Sequence, residues 1–358
     1  MAWYTYLPCE DTTSKRKLIR RTQRKKLEDA IISYYQEKED NPFFREVFAR
    51  WMKERLQFNE IALNSYTRYL NDFERFFPEE EEFCKIKINR ITESDIEKYI
   101  KRTITRLGLT QKTYAGLRIL LRGTFKYAKR EHMTTISISS FFCDLSLPPN
   151  IFVRKTVDPE KEVFNESETE ALVFYLRHHI TIENMGLLLM FQSGVRVGEL
   201  AALTKEDVLE YGLKISKTEI SYKDPETKER VVSIKQSPKG TSEKRVVILS
   251  DDAMWTLHQI SKLNPDGEFL FMREGRRIRT KNFNYYLHKA CRECKIPERS
   301  THKIRKTYGS TLMDNNVDES LVVAQMGHAD ILTTKNFYYF NTKDYDMKKS
   351  QINHAVCF

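Results

Sequence analysis

The sequence predicts a mainly α-helical protein with a small antiparallel β-sheet in its second half, an α+β fold class. Apolar side chains recur at helical spacing from about residue 44 to 145, and again after residue 163. Three β-rich segments, 213–220, 230–236 and 245–249, are separated by turns rich in Pro, Gly, Ser and Asp. Since 358 residues are too many for one ordinary core, we expect two or three domains.

The first half of the chain is predicted to form a small all-α domain. Thr92 is a suitable N-cap, because Asp95 stands three residues later and the apolar residues that follow recur at helical spacing. The pattern gives four amphipathic helices with Lys and Arg on their polar faces. They cover approximately residues 48–56, 66–77, 92–100 and 113–128.

Changes in composition divide the chain into five segments. Pro148 and Pro149 open a polar stretch typical of an inter-domain linker, and Asn165 or Ser167 then caps the first helix of a larger domain. The predicted segments are a basic arm or partial module (1–42), the helical domain (43–147), the linker (148–162), the larger domain with the sheet (163–343) and a C-terminal tail (344–358).

The charge of the chain favours a polyanionic partner. The 60 Lys and Arg exceed the 50 Asp and Glu, so the formal net charge is +10. A dense group of basic residues near the N-terminus either binds phosphates, without sequence preference of its own, or forms a solvated charged face. Its members are Lys15, Arg16, Lys17, Arg20, Arg21, Arg24, Lys25 and Lys26.

The six cysteines are scattered, which fits a reducing cytoplasm rather than a disulfide framework. Cys291 and Cys294 form a C-x-x-C, but no second pair follows, so two helix-packing thiols are expected and no metal site. The apolar run 185–191 is far too short to cross a membrane. The first residues contain no signal-peptide-like apolar region.

Polar residues in the larger domain suit attack on a phosphodiester. A tyrosine hydroxyl can act as nucleophile and keep the bond energy in a covalent phosphate link. Arginine is planar, always charged and bidentate, so it can meet the charge that grows on the non-bridging oxygens. Lysine can protonate the leaving oxygen, and histidine can assist proton transfer. Arg196, His302, Arg305, His328 and Tyr338 supply these residue types in order.

Their sequence context resembles the tyrosine recombinase (phage integrase) family. Residues 193–200 resemble the family's first box, T-G-x-R-x-G-E-L, and residues 302–305 resemble its second, H-x-x-R. Residues 326–334 resemble L-G-H-x-x-x-x-T-T, which a tyrosine follows. The resemblance is close over roughly 160–345. Residues 45–145 are similar to the family's core-binding domain in size and pattern only.

The resemblance implies a role for each site residue. Arg196 and Arg305 would hold the scissile phosphate, with Glu199 supporting Arg196, while His302 and His328 would complete the cradle. The alternatives are structural: an Arg196–Glu199 salt bridge, a surface pair of His302 and Arg305, and a helix-end histidine at His328. The resemblance also implies that the helical and catalytic domains close around duplex DNA as a C-shaped clamp.

Two assignments leave alternatives open. In the family a lysine in a β-hairpin turn protonates the leaving oxygen; here Lys239 is the candidate, and Lys235 and Lys244 are the alternatives. The nucleophile is placed at Tyr338, ten residues after His328, because many integrases of mobile elements use that spacing. Tyr339 is the competitor. Phe337, at the nine-residue spacing of other members, has no hydroxyl.

The implied activity is site-specific recombination of double-stranded DNA through a 3′-phosphotyrosine and a Holliday junction. The chain resembles integrases of phages or conjugative transposons, which would integrate or excise a mobile element in the bacterial cytoplasm. The family implies a homotetramer on DNA, an excisionase or host DNA-bending protein as a further partner, and no cofactor. The rival hypotheses are a type IB topoisomerase and a DNA-binding protein without catalysis.

Overall fold

The computed structural model describes residues 2–9, 14–148, 150–154, 158–236 and 244–328, with a few residues between 332 and 353. The chain forms two compact units. The first consists of Met1–Lys155 with Lys223–Lys228, and the second of Thr156–Tyr222 with Glu229–Phe358. The predicted fold class, mainly helical with small antiparallel sheets, is confirmed.

The basic N-terminal segment is a β-hairpin followed by a helix. Strands β1 (Trp3–Pro8) and β2 (Arg16–Arg21) pair antiparallel and precede helix α1 (Arg24–Asp40). Leu7, Ile19 and Leu27 form a small separate core between hairpin and helix. The two strands were not predicted from the sequence, because a single buried side chain per strand gives almost no alternation pattern.

A helical bundle with an aromatic core makes up the rest of the first unit. Phe44 lies at its centre, fully buried against the rings of Phe73, Phe77, Phe83 and Phe125. The helices are α2 (Phe44–Gln57), α3 (Leu63–Phe76), α4 (Glu93–Leu107), α5 (Gln111–Arg130) and α6 (Ile138–Asp144). The capping box predicted at the start of α4 is present: the backbone N–H of Asp95 donates to Thr92 Oγ1, and the N–H of Thr92 donates to the Asp95 carboxylate.

The second unit is built around one almost entirely buried helix, α8 (Ile182–Ser193). It runs through the apolar segment that the sequence shows at 185–191, and neighbouring helices surround it. Asn165, one of the two predicted caps, accepts a hydrogen bond from Glu168 N–H at the start of α7. The helices are α7 (Glu166–His178), α8 (Ile182–Ser193), α9 (Val197–Leu200), α10 (Asp251–Leu263), α11 (Thr280–Glu293), α12 (Thr301–Asp314) and α13 (Glu319–Met326).

The predicted sheet is divided into two sheets. The strands are β3 (Val208–Leu209), β4 (Gly212–Ile215), β5 (Lys217–Lys223), β6 (Arg230–Gln236), β7 (Arg245–Ile248), β8 (Met272–Arg273) and β9 (Arg276–Arg277). Strands β3, β4 and β7 form one antiparallel sheet, whereas β5 and β6 pair separately. The division falls at Ser216. Leu213, Ile215 and Val247 are buried in the core, whereas β5 and β6 bury a single side chain, that of Glu219. Glu219 accepts hydrogen bonds from Arg277 and from Thr280 at the start of α11.

Candidate active site

The site begins at a left-handed turn between α8 and α9. Helix α8 ends at Gly194, whose φ is +64°. A Cβ on Gly194 would lie 2.2 Å from Tyr308 Cδ1 on α12, so this position needs glycine for both its backbone conformation and its packing. Arg196 follows as the N-cap of α9, and its backbone N–H donates to Glu199 Oε2 at 2.8 Å. The turn therefore fixes where Arg196 leaves the backbone.

Glu199 binds two arginines from different parts of the chain. Arg196 Nη1 donates to Glu199 Oε1 at 2.8 Å, and Arg245 of β7 donates to both carboxylate oxygens, at 3.1 and 2.8 Å. Burial raises the pKa of Glu199, but the hydrogen bonds and charge of Arg245, with the charges of Arg196 and Arg305, outweigh it and lower the pKa to about 2. Glu199 is thus a carboxylate throughout the neutral range.

Arg245 also holds the end of α13. Its Nε donates to the backbone oxygen of Gln325 at 2.9 Å. Its side chain lies across Gly327, which has φ +60° and where a Cβ would be 2.8 Å from Arg245 Cδ. Gly327 is therefore required both by its left-handed backbone and by the arginine that covers it.

Arg305 connects the turn between α8 and α9 to His328. It is fully buried; its Nη1 donates to the Gly194 backbone oxygen at 2.7 Å and its Nη2 to the backbone oxygen of Met326. Nη2 also lies 3.1 Å from His328 Nε2. A guanidinium has donors only, so Nε2 accepts, and a neutral His328 ring carries its proton on Nδ1.

His302 lies at the surface, at the start of α12. Partial burial of the ring, followed by the charges of Lys306, Arg305, Lys303 and Arg196, lowers the pKa of His302 to about 4. Its imidazole is therefore neutral at pH 7 and can accept a proton. The charges of Arg196 and Arg305 both act on His302 and on Glu199, which indicates that these four side chains share one electrostatic environment.

The structure thus brings together five of the predicted site residues: Arg196, Glu199, His302, Arg305 and His328. Of these, Arg196 and His302 reach the surface, and the Arg196 side chain is 39% exposed. Arg305 and His328 lie behind them, buried. Lys239, Tyr338 and the alternative Tyr339 lie outside the described residues. Lys235 and Lys244, the other candidate lysines, are exposed on β6 and just before β7.

Sequence reasoning missed Arg245. Its signal was its position in the β7 segment, which resembles the family's R-x-V-P-L strand and in which it precedes four apolar residues, but this strand served only to locate the hairpin lysine. On such a short strand an arginine at the first position reads as a surface residue, whereas the side chain is 94% buried, with only 6% exposed. A cavity of about 570 Å³ opens beside it, lined also by Lys214, Gln236 and Lys244.

The N-terminal basic residues are all exposed, but they are arranged on two faces. Alternation along β2 places Arg16 and Arg20 on one side, and Lys17 and Arg21 on the side of buried Ile19. Arg24 pairs with Glu28 at 2.9 Å in the first turns of α1. Lys15, Lys25 and Lys26 complete the exposed set.

Three further features bear on the predictions. Within the described ranges, no group of three His, Cys, Asp or Glu side chains is arranged to hold a metal ion. Cys291 lies buried in the core of the second unit and Cys294 packs against that core. None of the described helices is both long and apolar enough to cross a lipid bilayer.

The sequence profile of the phage integrase family matches residues 162–344, more than half of the chain. The chain belongs to the phage integrase family. A second profile, that of the phage integrase N-terminal SAM-like domain, matches residues 48–132 within the helical bundle. The chain is a tyrosine recombinase, an enzyme of site-specific recombination.

Curated relatives of this recombinase include cellular and prophage enzymes. It is 27% identical over 286 residues to the tyrosine recombinase XerC of Thermodesulfovibrio yellowstonii, covering 77% of this chain and 85% of the relative. It is 26% identical over 286 residues to the prophage ps2 probable integrase of Lactococcus lactis subsp. lactis, covering 75% of this chain and 72% of the relative. The family resemblance inferred from the three boxes is confirmed.

Solved structures share the fold of the recombinase. The Tn1549 transposon integrase in complex with transposon right end DNA superposes with a TM-score of 0.65 at 16% identity, covering 88% of this chain and all of the other. A lambda integrase tetramer bound to a Holliday junction superposes with a TM-score of 0.57 at 14% identity, covering 90% of this chain and 93% of the other. At these identities the likeness shows the fold.

Proposed function

We propose that this recombinase cuts and rejoins double-stranded DNA through a 3′-phosphotyrosine at Tyr338, and that it integrates or excises a mobile element. The observation that carries the proposal is the network centred on Glu199. It fixes Arg196 at the surface, beside a neutral His302 and above the buried Arg305 and His328. This is a cationic surface site with a proton acceptor beside it, which suits a scissile phosphate.

Arg196 is the arginine best placed to meet the phosphate first. Its Nη1 is held by Glu199 and its side chain is 39% exposed, so the guanidinium can present its other N–H groups to phosphate oxygens. Arg305 has no exposed surface, so direct contact with a phosphate requires the groups that cover it to move. Before any such movement, Arg305 acts by its charge and by fixing the backbone at Gly194 and Met326.

The proposed step exchanges one phosphate ester for another. The oxygen of Tyr338 bonds to phosphorus, the bond from phosphorus to the 5′ oxygen breaks, and the strand keeps its 3′ phosphate on the protein. The tyrosine proton passes to neutral His302, and Lys239 protonates the departing 5′ oxygen. In the reverse step, the 5′ hydroxyl of the partner duplex attacks and releases the tyrosine, so no ATP is consumed.

The remaining predictions concern the assembly. We propose four protomers on two duplexes, with a Holliday-junction intermediate, and a C-shaped clamp of the helical domain (43–147) and the catalytic domain (163–343) joined by the linker (148–162). The exposed basic residues of segment 1–42 would bind DNA phosphates, and the tail (344–358) would pack on a neighbouring protomer. An excisionase or host DNA-bending protein would bias direction, in the cytoplasm of a bacterial cell.

Covalent trapping tests the proposed reaction. The substrate is a core site, selected by binding from a random duplex library, with a nick placed so that the 5′-hydroxyl fragment diffuses away and rejoining is blocked. The chain should accumulate as a complex attached to the 3′ phosphate of the labelled strand. Attachment to the 5′ end, or a bound but never covalent complex, would contradict the proposal.

The role of Lys239 can be tested through the leaving group. Lys239→Ala should slow cleavage at least about a hundredfold, the usual scale for losing a general acid. A substrate with sulfur in place of the 5′ bridging oxygen should largely remove this deficit. A thiolate leaves readily without a proton, since a thiol has a pKa of roughly 8.5.

Lys235→Ala and Lys244→Ala provide matched controls, because both lysines are exposed and near the same segment. They should cleave the oxygen and sulfur substrates in the same ratio as the unaltered chain. If the sulfur substrate restores Lys244→Ala or Lys235→Ala instead of Lys239→Ala, the general acid lies at that position.

A further inference from the structure

We infer that Arg245 is a positioning residue for DNA cleavage: it holds the Glu199 carboxylate so that Arg196 is aimed at the phosphate. The inference rests on the proposed role of Arg196. It concerns a residue that neither the sequence boxes nor the chemistry above requires. Arg245 belongs to strand β7, 46 residues after Glu199, and reaches the site only through the fold.

The geometry makes Arg245 the main support of Glu199. The carboxylate receives two hydrogen bonds from Arg245, one from the Arg196 side chain and one from the Arg196 backbone. Arg245 and Glu199 each have only 6% of the side chain exposed, so Glu199 depends on protein donors more than on water for its hydrogen bonds. Both carboxylate oxygens are thereby fixed, and the Oε1 that binds Arg196 has a single position.

The charges around Glu199 explain why the orientation of the Arg196 side chain depends on Arg245. Burial by itself favours a protonated Glu199, and Arg245 contributes the strongest opposing effect. Without Arg245, the pKa of Glu199 would rise, and the carboxyl would be partly protonated at pH values where the parent is fully ionised. A protonated carboxyl holds a guanidinium weakly, so Arg196 would lose its fixed direction.

Arg245 also joins the two sides of the site. It binds the backbone oxygen of Gln325 and packs across Gly327, which precedes His328. His328 in turn lies against Arg305. The same guanidinium therefore sets the position of the first box, through Glu199, and of the Gly-His turn. Preorganised groups of this kind lose much of their effect when displaced by a fraction of an ångström.

The test is the pH dependence of single-turnover cleavage between about pH 5.5 and 8.5, measured on the nicked substrate. Arg245→Met should cleave roughly a hundredfold more slowly than the parent at pH 7, the scale for misplacing a catalytic group by about 1 Å. The deficit should shrink as pH rises, because Glu199 ionises again. Arg245→Lys keeps the positive charge but not the planar, bidentate guanidinium. Its cleavage rate should therefore be intermediate, and its pH profile should run nearly parallel to that of the parent.

A second buried arginine provides the matched control. Arg299 donates from Nη1 and Nη2 to Glu168, which caps α7 as Glu199 caps α9, and only 9% of its side chain is exposed. Arg299→Met should reduce thermal stability to a similar extent as Arg245→Met but leave the shape of the pH profile unchanged. Both variants must retain core-site binding. If Arg245→Met proves too unstable to measure, the Arg245→Lys profile decides.

The outcomes separate this inference from the function it rests on. A slow Arg245→Met variant whose profile is parallel to the parent's, or the same rising profile in Arg299→Met, would overturn the positioning role. So would a parent-like rate for Arg245→Met, or, where that variant is too unstable to measure, a parent-like rate for Arg245→Lys throughout the pH range. If Arg196→Ala itself cleaves normally, the proposed phosphate site is wrong, and that result is independent of Arg245.

Discussion

Tyr338→Phe should abolish covalent trapping on the nicked substrate, whereas Tyr339→Phe should leave it intact. The loss should be complete, because phenylalanine has no hydroxyl to form the phosphate ester. The assignment rests on the ten-residue spacing after His328 that many integrases of mobile elements share. On a helix, adjacent side chains point about 100° apart, so only one of the two tyrosines can face a phosphate held by Arg196.

The pair of variants contains its own control. Each variant removes the hydroxyl of one of two adjacent tyrosines. A general disturbance of the segment should therefore affect the two variants equally. Tyr338→Phe should still bind the core site in a gel-shift assay at the parent's affinity. Trapping by Tyr338→Phe together with loss in Tyr339→Phe would move the nucleophile to Tyr339. If the unaltered chain also fails to trap, a DNA-binding protein without catalysis becomes the better explanation.

Arg196→Ala should cost at least about 3 kcal/mol of transition-state stabilisation, a hundredfold or more in cleavage rate, which is the scale for losing one preorganised charge-stabilising group. Folding should change little. The Arg196 side chain is 39% exposed, and Glu199 keeps its bonds to Arg245. The measurement is the single-turnover rate on the nicked substrate, with thermal unfolding measured in parallel.

Arg177→Ala is the matched control for this prediction. Arg177 lies on α7 of the same unit, its side chain is 35% exposed, and it pairs with Asp252 at 2.8 Å, as Arg196 pairs with Glu199 at 2.8 Å. Its removal should leave the cleavage rate within a few fold of the parent. A folded Arg196→Ala variant that cleaves at the parent's rate would remove Arg196 from the phosphate site.

The sequence predicted the parts of the fold that depend on local patterns. Four of the five helices of the bundle and the cap at Thr92 follow from apolar spacing and from a capping residue three positions before its partner. The split of the sheet at Ser216 could not be predicted, because it depends on which strands the helices cover. The N-terminal hairpin was missed because Leu7 and Ile19 meet only after two strands have paired.

The candidate site shows the same contrast between residues that local patterns reveal and residues that only tertiary contacts reveal. Arg196, His302, Arg305 and His328 stand in short boxes, so their residue types and spacing identify them. Arg245 stands outside these three boxes, in the strand that resembles R-x-V-P-L. Its role comes from long-range contacts, to Glu199 in one direction and to Gln325 in the other, and no local pattern encodes them. The burial of Arg305 could not be predicted either, since a family motif specifies a residue's identity but not which atoms cover it.

The division between the two sheets has a consequence for how the enzyme can vary. Ile215 and Arg245 are directly paired on β4 and β7. The chain between them therefore leaves the sheet of β3, β4 and β7 and returns to it at the same point. Strands β5 and β6 lie within this excursion, and so does Lys239. Lengthening such a loop adds little free-energy cost, since closure entropy grows only slowly with length. The part of the hairpin beyond Glu219 can therefore diverge between relatives with little effect on the arginines, whereas Thr218 and Glu219 pack against Gly198, two residues after Arg196. The proposed phosphate-binding arginines and the proposed proton donor Lys239 would then belong to separately evolvable parts of the chain.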